Sequence, residues 1–163
     1  MGLRVTLYKN IEKATEEEYD FEAYQSEPSW HSRASTLEVY QLYKGIACKG
    51  YGVMYSYSTH SRFREFLVAI TVGGILFLDK ENKIQWGVYQ YATSSPFYKL
   101  VYYSDTEGCI DHIVCKELYE QFLRHEYEAV TREGTCDYYK EIYNSWLEML
   151  EEAVKVKGVI VFS

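Results

Sequence analysis

The sequence predicts one α+β domain over residues 1–163, a mixed or antiparallel sheet covered by about three helices. Three observations carry this expectation. The chain of 163 residues is 47% apolar and 25% charged, which suits one globular unit able to bury a core without disulfides or a structural metal. Short strand-like apolar runs stand at both ends, alternating in Leu3–Tyr8 and unbroken in Val159–Phe162. Apolar residues recur at helical spacing along three longer stretches between them.

Leu3–Tyr8 alternates around Val5 and reads as a first strand. Residues 11–30 are acidic, interrupted by Ser26, Pro28 and Ser29, and read as a loop or a short helix across Thr15–Tyr24. In Thr36–Lys44, Thr36 before Glu38 fits a helix start. Val39, Gln41 and Tyr43 alternate as in a strand, and the nearby Gly45, Gly50 and Gly52 favour the strand. Ser58 is a plausible N-cap. After it Phe63, Phe66, Leu67 and Ile70 fall at i, i+3, i+4 and i+7, and Gly73-Gly74 ends the helix. Ile75–Leu78, the turn Asp79–Asn82 and the alternating Ile84–Tyr91 make a hairpin. Thr93–Pro96 is a break, Pro96–Tyr103 is apolar and aromatic, and Ser104–Gly108 is a turn by composition. A helix follows from about Ile110 to Tyr127, with Ile110, Ile113, Val114, Leu118 and Phe122 facing the core and Asp111 as its cap. A last helix, Cys136 to Val154, carries the stripe Tyr139, Ile142, Tyr143, Trp146, Leu147 and Leu150, with Glu141, Glu148, Glu151 and Glu152 outside. Gly158 stops it before the terminal strand.

Charge narrows the function classes. The formal net charge is −7, and residues 82–163 hold 13 acidic against 8 basic groups. That balance disfavours bulk nucleic-acid binding, which depends on cations that release phosphate counterions. It leaves room for a local basic pocket, and the acidic helices suit a basic partner protein. No apolar run reaches membrane-spanning length, and MGLRVTLYKN lacks the apolar stretch of a signal peptide. With Cys48, Cys109, Cys115 and Cys136 in no CxxC pair, the expectation is a reduced, cytoplasmic protein that binds no membrane. The 18 tyrosines stand out against 7 Phe and 3 Trp. Tyr packs half-buried while its hydroxyl seeks a partner, so it serves strand faces and binding surfaces alike.

Three segments belong together: Gly2-Leu3-x-Val5-Thr6; Tyr55-Ser56-Tyr57-Ser58 with Arg62-Phe63-Arg64; and Pro96-Phe97-x-x-Leu100 with Ser104-Asp105-x-Glu107-Gly108-x-Ile110. In order and spacing the chain resembles a family of small bacteriophage and prophage proteins, most closely from residue 55 to about 125. In that family a G-S-Y-S-G-Y-N-R-F-R-like block precedes a P-F-x-x-L-x-x-x-S-D-x-E-G block. This chain departs at Thr59, His60 and Ser61, where the family pattern reads Gly-Tyr-Asn. The resemblance implies a phage origin and no particular reaction. By analogy with phage accessory proteins of this size, it implies a host-directed binding role, in which the protein engages a host effector or sequesters a nucleotide signal.

The candidate site joins these blocks. Tyr57 and Ser58 stand where a strand or loop enters a helix, whose N-terminal amides favour anions. His60 and Arg64 are four apart and share a helical face, while Arg62 lies about 160° round from Arg64. One arginine can bind a phosphate or carboxylate while the other pairs with Asp105 or Glu107; alternatively both make structural ion pairs with that turn. Tyr51, Tyr55 and Tyr57 alternate along one expected strand face, and Tyr102 and Tyr103 stand beside the acidic turn, so rings can stack a base or pack across strands. The expected ligand-binding set is Tyr55, Tyr57, Ser58, His60, Arg62, Arg64, Tyr103, Ser104, Asp105 and Glu107. No cofactor is expected. Cys109, His112 and Cys115 lack a fourth ligand nearby and read as core cysteines with a partly exposed histidine. No nucleophile elbow, Walker loop or HExxH is present. The expectation is a non-enzymatic accessory protein that interferes with a bacterial host function, by binding a small anionic nucleotide-like ligand or a host protein. The alternative is a hydrolase acting on a phosphate or glycosidic bond through Asp105 or Glu107.

Overall fold

A computed structural model describes residues 2–24, 34–71, 96–101 and 108–163. Its elements are β1 (Gly2–Lys13), β2 (Phe21–Glu22), β3 (Leu42–Ser56), α1 (Tyr57–Thr71), α2 (Tyr98–Val101), β4 (Gly108–Ile110), α3 (His112–Thr131), α4 (Asp137–Val156) and β5 (Val159–Phe162). The five strands form one sheet in the order β2-β3-β1-β5-β4, antiparallel throughout. The fold is α+β, an antiparallel sheet packed against helices.

Strand β1 shows why the sheet has two faces. Leu3, Val5 and Leu7 are buried, while Arg4, Thr6 and Tyr8 between them point the other way. The first set meets α1, α3 and α4 in the main core, with Phe63, Leu118, Phe122, Tyr143, Trp146 and Phe162 among its members. The second face holds a smaller cluster of Phe21, Ala23, Ala34, Tyr43, Cys109, Val159 and Val161, with Tyr8 packed against it. All four residues of β5 are buried, with Ile160 and Phe162 in the first layer and Val159 and Val161 in the second. A short strand buried on both faces reads as an unbroken apolar run, as Val159–Phe162 does.

The helix ends follow local chemistry. Strand β3 runs straight into α1, and Ser56 is the cap: its Oγ accepts from the Thr59 amide at 3.1 Å. That moves the cap two residues before the expected Ser58 and makes Tyr57 the first helical residue, off the strand face of Tyr51 and Tyr55. Helix α3 begins after Asp111, as expected, and Ile110 belongs to β4. Helix α4 ends at Lys157 in the left-handed conformation, with φ 50°. Gly158 follows because a Cβ there would lie 2.6 Å from the Tyr8 carbonyl oxygen. The Thr15–Tyr24 stretch forms turns and β2 with no helix, and the strand expected over Thr36–Lys44 starts only at Leu42, after turns. Gly73-Gly74, the expected hairpin over 75–91 and the 104–107 part of the acidic turn lie outside the described residues.

Candidate functional site

The block after β3 splits between core and surface. Tyr55 is buried, and His60 is fully so. Their rings stack at 5.5 Å and 16°, and the His60 ring meets Phe162 edge-on at 6.0 Å. The Trp146 indole N–H donates to Tyr55 Oη at 3.1 Å, and that oxygen shares a hydrogen bond with His60 Nδ1 at 2.9 Å. Burial, with help from the Arg64 charge, pushes the His60 imidazole down to about 3, so it is neutral at ordinary pH. This polar chain locks β3, α1 and α4 together inside the core. Tyr55 and His60 therefore face Trp146 and Phe162 and do not wall a surface pocket.

The remaining residues of that block lie further out. Tyr57 is half-buried against the core. Ser58 is exposed, and its Oγ is 2.8 Å from Ser56 Oγ, which also meets Thr59 Oγ1 at 2.9 Å. Arg62 is exposed. Arg64 is half-buried and its Nη1 donates to the Val101 carbonyl at 3.4 Å, at the end of α2. Glu65 has its carboxyl pushed up by burial, against the opposing pull of Arg62 and Arg64. Tyr103, Ser104, Asp105 and Glu107 lie outside the described residues, and the hydrolase alternative rests on two of them.

Asp111 is a junction that the sequence disclosed only as a cap. It is fully buried, and its Oδ1 accepts from the Ile113 and Val114 amides at 3.1 and 3.0 Å. Its Oδ2 accepts from the Thr36 amide at 2.9 Å, Thr36 Oγ1 at 3.0 Å and Ser35 Oγ at 3.4 Å. Cys109 and Cys115 flank it in opposite layers. Burial first, and the Asp111 charge second, push the Cys109 thiol up to about 12 and that of Cys115 well above its ordinary value. Among the described residues no group of three or more His, Cys, Asp or Glu is placed to hold a metal ion, and no helix is long and apolar enough to cross a membrane.

Comparison with protein-family models, curated proteins and solved structures finds no match for this chain. Two features stand out on its surface.

The first is the outer face of α3. Leu123, Tyr127 and Val130 fall at i, i+4 and i+7 and are 46%, 76% and 43% exposed. Ile113, expected in the core, is also exposed, on the first turn of the same helix. The helix runs past the expected Tyr127 to Thr131, which carries the stripe to its last turn. The signal in the sequence was a second apolar stripe beside the inner one of Val114, Leu118 and Phe122. The second feature is a cleft of about 650 Å³ on the sheet face away from the helices. Arg4, Thr6, Tyr8, Ala47 and Val161 form its floor, and Tyr19, Asp20, Phe21, Glu22 and Tyr24 border it. The Thr15–Tyr24 stretch gave no sign of this in the sequence, because its aromatics show no period.

Proposed function

We propose that the chain is a phage-type accessory binding protein that acts on a bacterial host protein, docking it along the outer face of α3. The observation that carries this reading is the Leu123–Tyr127–Val130 stripe, exposed over two turns of a well-packed helix. Apolar side chains gathered on a helix face and rimmed by polar ones mark an interaction surface. A central tyrosine is a common anchor in such contacts.

The rim states what the partner looks like. Exposed Glu117, Glu120, Glu126 and Glu128 outnumber Lys116 and Arg124 on α3. A partner with an apolar stripe flanked by Lys or Arg complements this face, as in helix-to-helix recognition. The role is binding. The His60 ring is fully buried and neutral at ordinary pH, packed among Tyr55, Trp146 and Phe162 inside the core.

The test places a photocrosslinking phenylalanine analogue at position 127, and at the exposed position 54 on the sheet as a control, in host cells. One defined protein adduct is expected from position 127 and none from 54. Leu123→Glu is expected to abolish that adduct while leaving the unfolding free energy within about 0.5 kcal/mol. The same adduct from both positions, or one indifferent to Leu123→Glu, overturns the reading.

A further inference from the structure

The cleft lies on the sheet face opposite α3, so it cannot be part of the docking stripe. Alternation along β1 points Arg4, Thr6 and Tyr8 toward it and Leu3, Val5 and Leu7 away. Four aromatic side chains border it, Tyr8, Tyr19, Phe21 and Tyr24. Phe21 is anchored by ring contacts to Tyr8 at 5.4 Å and to Tyr43 at 5.7 Å, while Tyr19 is 52% exposed at the rim. Asp20 is held in place by accepting the Gly45 amide at 2.9 Å. Among the lining side chains two carboxylates, Asp20 and Glu22, stand against one guanidinium, Arg4.

This composition selects by charge and shape. Aromatic faces attract cations through their ring quadrupoles, and a carboxylate beside them adds a direct Coulomb attraction. A phosphate in the same place meets two like charges and one opposite. Tyr8 stays protonated here: burial pushes its hydroxyl up, Asp20 pushes it further, and Arg4 opposes both. The hydroxyl therefore serves as a neutral hydrogen-bond group among the rings. A volume of about 650 Å³ is within the range of small-molecule sites.

We propose that this cleft binds an organic ammonium cation, seated against Tyr8, Tyr19 and Tyr24 and neutralised by Asp20 and Glu22. Two sources share that chemistry, a free polyamine and the lysine side chain of a protein segment. The anionic nucleotide-like ligand expected from the sequence does not suit this cleft.

The experiment titrates the intact chain by NMR with phenyltrimethylammonium, with its neutral isostere tert-butylbenzene and with adenosine monophosphate. Ring signals of Tyr8, Tyr19 and Tyr24 are expected to shift with the cation, and to shift little with the other two. Tyr19→Ala is expected to weaken the cation by about threefold to tenfold and Glu22→Gln by about threefold, while Arg4→Gln tightens it by about threefold. All three residues are exposed, so these variants are expected to keep the fold, as circular dichroism will check. Spermidine and a capped Gly-Lys-Gly peptide then separate the sources: tighter spermidine indicates a free amine, and a tighter peptide indicates a protein side chain. Equal shifts with the neutral isostere, tighter adenosine monophosphate, or no shift with any cation overturns the proposal. None of these results bears on the α3 stripe.

Discussion

Asp111 joins two parts of the chain that are far apart in sequence. One carboxylate oxygen caps α3 while the other gathers Ser35 and Thr36. Truncation leaves four donors of Thr36, Ile113 and Val114 without this acceptor, three of them backbone amides. Asp111→Ala is therefore expected to cost about 2–4 kcal/mol in urea unfolding, well beyond the loss of an ordinary cap. The neighbouring thiols are held protonated by burial and by this charge, which makes them packing groups. His60 gives a second prediction, in pH. Its imidazole titrates at about 3 in the folded chain and near 6.5 when unfolded, so between those values only the unfolded chain takes the proton. Its contribution to stability is complete above pH 6.5 and is lost as pH falls toward about 3, at a slope approaching 1.4 kcal/mol per pH unit, about one proton. His60→Gln is expected to remove that one-proton slope from the pH dependence of unfolding. A slope unchanged in the variant would show that another group carries it.

At the scale of elements, the start of α1 distinguishes two serines that look alike in sequence. Ser56 Oγ accepts the Thr59 amide, whereas Ser58 Oγ meets the Ser56 hydroxyl. Ser56→Ala is expected to cost about 1 kcal/mol in thermal or denaturant unfolding, and Ser58→Ala only a few tenths. Equal losses would move the cap back to Ser58. The three long helices and the end strands were legible because periodicity is strong there: α4, Asp137–Val156, lies within two residues of the expected Cys136–Val154 at each end. The cap of α1 was not, because Tyr55-Ser56-Tyr57-Ser58 alternates as a strand should, and only the hydrogen bond decides where the strand stops. Ile113 deceived for a related reason. It precedes the buried Val114, and one residue is about 100° on a helix, enough to carry a side chain from core to solvent.

For the whole molecule, the composition of one sheet with two covered faces makes a single cooperative unit the expectation. Cys109 lies in the smaller layer and Cys115 in the helical one, with β5 contributing to both. In a Cys48→Ser/Cys136→Ser background, thiol labelling of Cys109 and Cys115 is expected to share one rate and one denaturant dependence. Earlier labelling of Cys109 would show that the smaller layer opens alone. The α+β class was readable from composition and pattern, since it needs only the two periods and their order. The second face of the sheet was not, because Phe21, Tyr43 and Cys109 come from three separate segments that no local spacing links. The candidate site suffered most from this. Its tyrosine and histidine looked like surface chemistry from position in a motif, while burial, which only tertiary contact decides, placed Tyr55 and His60 in the core. The pairing of β1 with β5 carries one more consequence, for synthesis. Val5 waits for Phe162, and the β1–β3 ribbon leaves the ribosome with Leu3, Val5 and Leu7 uncovered and one edge unpaired. Long-range pairing of this kind slows folding and leaves a strand edge exposed to aggregation until β5 arrives.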